Sequence, residues 1–164
     1  MFSVRAQPYE VNPHRLQLSR AACSRLGEMG MLPPRYKLIA GEVLIKMSPK
    51  RLCILTLLEI TDCLTRLFGQ DYVQARMPIE VSVRDREFND PEPDLAVLKS
   101  PCKSYRSVAP DPTEVRLVVE VSDETLRNDL TAKMYLYARA GIAIYWVVDV
   151  ANKAYFCSFR FEGR

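Results

Sequence analysis

Histidine is almost absent from this chain, whose 164 residues contain only His14. A catalytic triad of serine, histidine and aspartate needs a histidine base. Since His14 lies near a chain end, the sequence argues against this class of enzyme. The five cysteines are scattered and form no C-x-x-C pair. Their spacing argues against a zinc site and against a disulfide framework, and it favours a reducing, cytoplasmic location.

Long apolar runs are missing as well. No stretch of the sequence approaches the roughly 20 apolar residues that a membrane span requires, and the N-terminus has no apolar signal segment. The net charge of +3 is compatible with a polyanionic partner but is ordinary for a chain of this size. We expect a protein with no membrane segment, built as one domain over residues 1–164, with residues 1–14 as a loose N-terminal arm.

Strand and helix patterns alternate along the chain. Apolar alternation and turn residues predict strands at 36–40, 42–47, 72–75, 79–83, 95–98, 115–121, 144–150 and 154–159. Helical spacing and capping residues predict helices over 15–29, from Ser48 and Pro49 to Gly69, and from an Asn128 cap to Ala140. This alternation predicts a mixed α/β domain whose helices pack against one twisted sheet.

Glu120 is a carboxylate inside an apolar strand, Leu117-Val-Val-Glu-Val-Ser122. Side chains alternate along a strand, so Glu120 projects from one face of the predicted sheet. Removing a lone carboxylate from water costs several kcal/mol or raises its pKa, unless a cation or hydrogen bonds compensate. Lys133 and a divalent metal shared with Asp94 are the candidate partners.

The spacing of Asp94, Glu120 and Lys133 is compatible with one site. Asp94 precedes Glu120 by 26 residues, which is enough to place the two carboxylates on neighbouring strands, about 4.8 Å apart. An all-oxygen pair of this kind suits Mg²⁺ or Mn²⁺. Lys133 follows Asp129 by four residues on the next helix and can reach the sheet.

Two interpretations of this trio stay open from residue types and spacing alone. A metal between two carboxylates, with an ammonium group beside it, is suited to phosphodiester hydrolysis. Alternatively, Glu120 and Lys133 form a buried ion pair, and Asp94 only caps a turn after Pro93.

Five blocks of the sequence recur together in one known family. They are Tyr36-Lys-Leu-Ile-Ala-Gly-Glu42, Met47-Ser-Pro, Glu92-Pro-Asp-Leu-Ala-Val, Leu117-Val-Val-Glu-Val-Ser and Lys133-x3-Tyr137-Ala-Arg-Ala-Gly141. Their joint order resembles the Uma2 family, a group within the PD-(D/E)XK, or restriction-endonuclease-like, superfamily. The resemblance implies a restriction-endonuclease-like core, in which helices flank a mixed twisted sheet.

The resemblance also implies the roles of individual residues. Asp94, Glu120 and the backbone carbonyl of Val121 would hold Mg²⁺ or Mn²⁺. The superfamily's lysine stands two residues after the glutamate, where this chain has Ser122. Lys133 resembles the migrated lysine of this family.

The resemblance also implies supporting roles for further residues. Asp129 would orient the migrated lysine, and Glu42 matches the family's Gly-Glu block, where it would add a metal or water contact. Lys50, Arg51 and Arg127 are candidate phosphate contacts on DNA.

The function that follows is a metal-dependent endonuclease acting on DNA. The runner-up is a catalytically inactive nucleic-acid-binding or assembly module, because the segment from Met47 to Leu52 is shorter than the histidine-containing stretch that members of the family usually have there. A third interpretation is a structural homodimer whose acidic residues belong only to an ion-pair network. Relatives continue past the last strand into another hairpin, so we expect a partner subunit or further chain to complete the sheet.

Overall fold

Five strands form a central mixed sheet, in the order β3 (Val73–Ala75), β4 (Leu95–Leu98), β5 (Val115–Ser122), β6 (Ile144–Asp149) and β7 (Ala154–Phe159). The computed structural model describes residues 16–159, so the predicted arm over 1–14, with His14, lies outside the described residues. Strands β5 and β6 run parallel, and the other neighbours in this sheet are antiparallel. Helices pack on both faces, which confirms the predicted mixed α/β class.

The strands are β1 (Tyr36–Ile39), β2 (Glu42–Ile45), β3 (Val73–Ala75), β4 (Leu95–Leu98), β5 (Val115–Ser122), β6 (Ile144–Asp149) and β7 (Ala154–Phe159). The helices are α1 (Arg20–Glu28), α2 (Arg51–Phe68), α3 (Leu126–Asn128) and α4 (Met134–Ala140). A π-helical turn at Asp129–Lys133 joins α3 to α4. We call the continuous segment 126–140 the lysine helix.

Strands β1 and β2 form a two-stranded hairpin, as predicted, but this hairpin is separate from the central sheet, whereas the sequence predicted one sheet. Its turn residues Ala40 and Gly41 both have positive φ, 52° and 76°, as a two-residue turn matched to strand twist requires. A Cβ atom on Gly41 would come within 2.7 Å of Gln17, so the close approach also favours glycine. One isolated bridge, from Leu38 to Asp90, links the hairpin to the chain that leads into β4.

The two faces of the central sheet bury different helices. On one face Val118 packs with Tyr137 of the lysine helix, and on the other face Val119 packs with Leu64 of α2. Alternation along β5 produces this division, since successive side chains point to opposite faces. Glu120 shares the face of Val118, so it points towards the lysine helix.

Three predicted helix starts are wrong. Helix α1 begins at Arg20 because Ser19 caps it, with the Ser19 hydroxyl accepting a hydrogen bond from the backbone N–H of Ala22. Helix α2 begins after Lys50 instead of at Ser48 and Pro49. Asn128 lies inside the lysine helix, which begins at Leu126. The predicted ends at Gly69 and Gly141 are confirmed.

The predicted strand at 79–83 is also wrong. Ile79 and Val81 are buried, and this produces the apolar alternation, but the segment joins no sheet. Its backbone N–H groups bond instead to connecting segments, from Ile79 to the carbonyl of Pro91 and from Glu80 to that of Pro110. The alternation of buried residues therefore indicated a strand, although this segment pairs with no other strand.

All five cysteines lie in the described part of the chain and have free thiols. Within residues 16–159, the longest and most apolar helices still fall short of what a membrane crossing needs.

Candidate active site

Glu120 is a buried carboxylate that faces the lysine helix. Only 1% of the surface of this residue is exposed to solvent. Its Oε2 atom lies 2.9 Å from the Nζ atom of Lys133, and its Oε1 atom accepts a 3.1 Å hydrogen bond from the Tyr137 hydroxyl. The structure therefore brings Lys133 to Glu120, as the spacing predicts. Tyr137 is an additional partner of this carboxylate that the sequence analysis did not identify.

The charges at this site shift one another's protonation. Burial raises the pKa of the Glu120 carboxyl, and the ammonium groups of Lys133 and Lys37 oppose that rise. Burial by itself would lower the pKa of Lys133, but the carboxylates of Glu120 and Asp129 raise it above its ordinary value. Burial and the neighbouring Glu120 raise the pKa of Tyr137. Its hydroxyl therefore stays protonated and donates a hydrogen bond to Glu120. Lys133 is therefore held as a cation beside a carboxylate removed from water.

Asp94 stands directly before β4 and reaches across to β5. Its Oδ2 atom accepts a 2.9 Å hydrogen bond from the backbone N–H of Val121, the residue after Glu120. Its Oδ1 atom lies 3.9 Å from the Nε atom of Arg76. The antiparallel register of β4 and β5 thus sets the two predicted carboxylates side by side, near the start of β4 and the end of β5.

The π-helical turn positions Lys133. Asp129 Oδ1 lies 2.6 Å from Lys133 Nζ, while Asp129 Oδ2 accepts hydrogen bonds from Thr125 Oγ1, at 2.7 Å, and from the Ser122 hydroxyl. Asp129 and Lys133 are 1% and 4% exposed. Single π turns inside α-helices are frequent at functional sites. Here the turn fixes one ammonium group between two carboxylates.

The β1–β2 hairpin adds a second lysine that the sequence analysis missed. Lys37 Nζ lies 3.9 Å from Glu120 Oε2, and the Lys37 side chain is 19% exposed. Lys46, just after β2, pairs with Glu92, two residues before Asp94. No local pattern in the sequence signals these contacts, because they depend on how a separate hairpin docks against the chain beside β4 and β5.

A cleft of about 680 Å³ opens onto both carboxylates, and we call it the site cleft. Asp94, Glu120, Lys37 and Lys133 are among its charged lining residues, which also include cations such as Arg76, and the connection 46–50 between β2 and α2 lines another side. Carboxylates and ammonium groups therefore face the same space, as a site for an anionic substrate and a cation requires.

The other predicted residues are placed differently. Glu42 opens β2 beside the hairpin turn and is not among the residues that line the site cleft. Arg51 and Arg127 are exposed and also lie outside that lining. Lys50 does line the site cleft, but its Nζ atom is 2.7 Å from a carboxylate oxygen of Asp123.

Oxygen atoms are the donors that the site cleft offers to a cation. Among residues 16–159, no three or more His, Cys, Asp or Glu side chains form a metal-binding group. Several carboxylates line the cleft, and among them those of Asp94 and Glu120 lie side by side on neighbouring strands. In a strand the N–H and C=O of one residue point to the same neighbour, so the Val121 carbonyl also faces the Asp94 side. Mg²⁺ takes one or two carboxylates and keeps several waters, so this donor set fits such an ion.

The comparisons with known proteins agree with this geometry. Residues 28–162 match the family model Uma2, described as "Putative restriction endonuclease". A comparison with curated proteins gives no significant match. The chain is similar to a solved structure from Anabaena variabilis, described as "a putative nuclease belonging to DUF820", with a TM-score of 0.61 and 13% identity.

That similarity covers 84% of this chain and 80% of the other, and at this identity it shows a shared fold. The restriction-endonuclease-like arrangement expected from the sequence is therefore confirmed at the level of the fold. The family model matches residues 28–162, which is well over half of this chain, and the chain therefore belongs to the Uma2 family.

Proposed function

We propose that this protein is a metal-dependent endonuclease that hydrolyses phosphodiester bonds of DNA. The observation that carries the proposal is the placement of Glu120, which is buried in the sheet yet lines a cleft beside Asp94. Burying a carboxylate costs folding free energy, and a buried carboxylate of perturbed pKa that lines a cleft is typical of a functional site. Membership of a family described as restriction endonucleases supports the same reaction class.

In this proposal Asp94, Glu120 and the carbonyl of Val121 hold Mg²⁺ or Mn²⁺. When bound, such an ion lowers the pKa of a coordinated water and neutralises charge on a phosphate. Glu42 does not line the site cleft, so the metal site proposed here does not include it.

The chain's own cations hold the carboxylates and meet the substrate. Lys133, fixed by Asp129, holds the Glu120 carboxylate at 2.9 Å and opposes the rise in its pKa that burial causes. Arg51 and Arg127 are exposed and keep their predicted role as phosphate contacts outside the cleft. Lys50 would contact phosphate only after leaving Asp123.

Cleavage of plasmid and single-stranded DNA tests the proposal. We expect wild-type protein to cleave with Mg²⁺ or Mn²⁺ and to lose the activity in a chelator. Glu120→Gln, which keeps the shape of the side chain, should lower the rate about a hundredfold or more. Glu87→Gln makes the same chemical change at an exposed position in a short 3-10 helix and should leave the rate unchanged.

Circular dichroism should show that the three proteins fold alike. The proposal is wrong if wild-type protein cleaves neither substrate with either metal. It is also wrong if Glu120→Gln cleaves as fast as wild type.

A specific contact also favours an inactive binding module as second candidate. Glu120 Oε2 already has the ammonium groups of Lys133 and Lys37 within 2.9 Å and 3.9 Å, so its charge is compensated without a metal. This candidate predicts DNA binding that weakens steeply with salt and no cleavage. The predicted homodimer and cytoplasmic location stay predictions under either function.

A further inference from the structure

Two lysines approach the same oxygen of Glu120, but their surroundings differ. Lys133 is 4% exposed, and its ammonium group lies within 2.9 Å of Glu120 and 2.6 Å of Asp129. An ammonium group has three N–H donors, and buried carboxylates engage it from two directions. Moving Lys133 to a substrate would leave two buried carboxylates without their cation, at high cost.

Lys37 is held much less firmly. Its 3.9 Å separation from Glu120 Oε2 exceeds hydrogen-bond distance, and its side chain, 19% exposed, lines the site cleft. It extends from β1, opposite Leu44 of β2, so both side chains point to the cleft side of the hairpin. A small movement of this flexible side chain would bring its charge to a ligand in the cleft without breaking a short ion pair.

We infer that Lys37 contacts a backbone phosphate of the nucleic acid bound in the site cleft, next to Glu120, and that Lys133 stays with its carboxylates. The inference rests on the proposed function and assigns the substrate-facing cation of that site. A phosphodiester suits Lys37 because it offers anionic oxygens to a point-charge donor beside two carboxylates. Lys37 then stabilises the charge that develops on the phosphate as hydrolysis proceeds.

Binding in a chelator tests the contact separately from cleavage. The dissociation constant of a fluorescein-labelled single-stranded oligonucleotide is measured by anisotropy at several NaCl concentrations, for wild type, Lys37→Met and Lys37→Arg. Each phosphate contact adds about 0.7 to the slope of log affinity against log salt for a single strand. We expect Lys37→Met to lose about one such contact. Lys37→Arg should keep it.

Lys99→Met is the matched control. Lys99 is exposed at the end of β4 opposite to Asp94, so the same charge is removed far from the carboxylates. Its salt slope should equal that of wild type. In cleavage assays, Lys37→Met should lower kcat/KM about a hundredfold, while Lys99→Met should not change it. Thermal unfolding should show that both variants keep the wild-type fold.

The outcomes separate this inference from the proposed function. Wild-type binding with the expected loss of slope in Lys37→Met supports the phosphate contact, whether or not cleavage occurs. A salt slope unchanged in Lys37→Met, or lowered equally in Lys99→Met, overturns the inference even if the wild-type protein cleaves DNA. Failure of wild-type protein to bind the oligonucleotide overturns it as well.

Discussion

The Ser122 hydroxyl donates a hydrogen bond to Asp129 Oδ2. Ser122 stands two residues after Glu120, where the restriction-endonuclease-like superfamily carries its lysine. Instead of supplying the cation, this position holds the aspartate that fixes the cation, because the other oxygen of Asp129 lies 2.6 Å from Lys133. Ser122 and Lys133 are thus linked through one carboxylate.

Asp129→Asn should separate the positioning of Lys133 from its charge. Loss of the carboxylate leaves Lys133 with Glu120 alone, so we expect unfolding free energy to fall by about 1–3 kcal/mol. If the protein is a nuclease, kcat should fall while KM for DNA changes little, since Asp129 is buried and cannot touch substrate. Urea unfolding and steady-state cleavage measure the two effects.

Asp62→Asn is the control for this substitution, because Asp62 is 63% exposed on α2, where it pairs with Arg66. It should change stability by less than about 0.5 kcal/mol. Equal effects of the two substitutions would contradict a positioning role for Asp129.

Lys133→Met should be strongly destabilising. Removing this ammonium group leaves Asp129 without its counter-charge and Glu120 with the more distant Lys37, so both buried charges are poorly compensated, which typically costs about 3–5 kcal/mol. Urea unfolding at neutral pH measures the loss. In the double variant with Glu120→Gln, one of the two poorly compensated charges is gone, so part of the stability should return.

Lys99→Met serves as the exposed control and should unfold as wild type does. Wild-type stability in Lys133→Met, or a double variant no more stable than the single one, would contradict the buried ion-pair network.

Local sequence rules predicted much of the central sheet and the principal pair of carboxylates. Strand β7 has the predicted bounds, and the hairpin turn falls at Gly41. Asp94 and Glu120 adjoin because β4 and β5 are neighbouring antiparallel strands. Period-two alternation and turn residues carry this information within short windows, so it is readable without tertiary contacts.

The remaining features depend on contacts between distant segments. Ser48 and Pro49 read as a helix start, but the chain stays non-helical up to Lys50, whose side chain pairs with Asp123. Lys37 was missed because its position is set by the docking of a hairpin that shares no ladder with the central sheet. Thr125, one residue before the lysine helix, donates a hydrogen bond from its hydroxyl to Asp129. Local capping rules do not predict this bond.

Binding of Mn²⁺ should stabilise the folded protein if the proposed metal site exists. A ligand present at 100 times its dissociation constant stabilises the native state by about 2.7 kcal/mol. We expect thermal unfolding of wild type to shift upwards with Mn²⁺, and the shift to vanish in Asp94→Asn and Glu120→Gln. Asp62→Asn should keep the wild-type shift.

This measurement needs no cleavage, so it also distinguishes the two candidate functions. A shift that persists in Asp94→Asn and Glu120→Gln would place the ion elsewhere. No shift in wild type would favour the inactive binding module.

Asp85 links the chain before β4 to the end of the lysine helix and should make stability depend on pH. Its Oδ1 atom accepts a 2.9 Å bond from Arg139 Nη2. Burial alone would raise the pKa of Asp85, but the bonds from Arg139 and Ser82 lower it below the ordinary value of 3.8. The unfolded chain therefore binds the proton more tightly than the folded one. The stabilisation is present above pH 3.8 and is lost as pH falls through the lower folded pKa.

Asp85→Asn should remove this part of the stability at neutral pH and little at low pH. Because the pair is partly exposed, we expect a difference from wild type of up to about 1 kcal/mol at pH 7. That difference should shrink as the solution is acidified through pH 3.8. Urea unfolding along a pH series measures it, with Asp62→Asn as the exposed control. A difference that stays constant down to acid pH would show that Asp85 stabilises the fold through its shape and not through its charge.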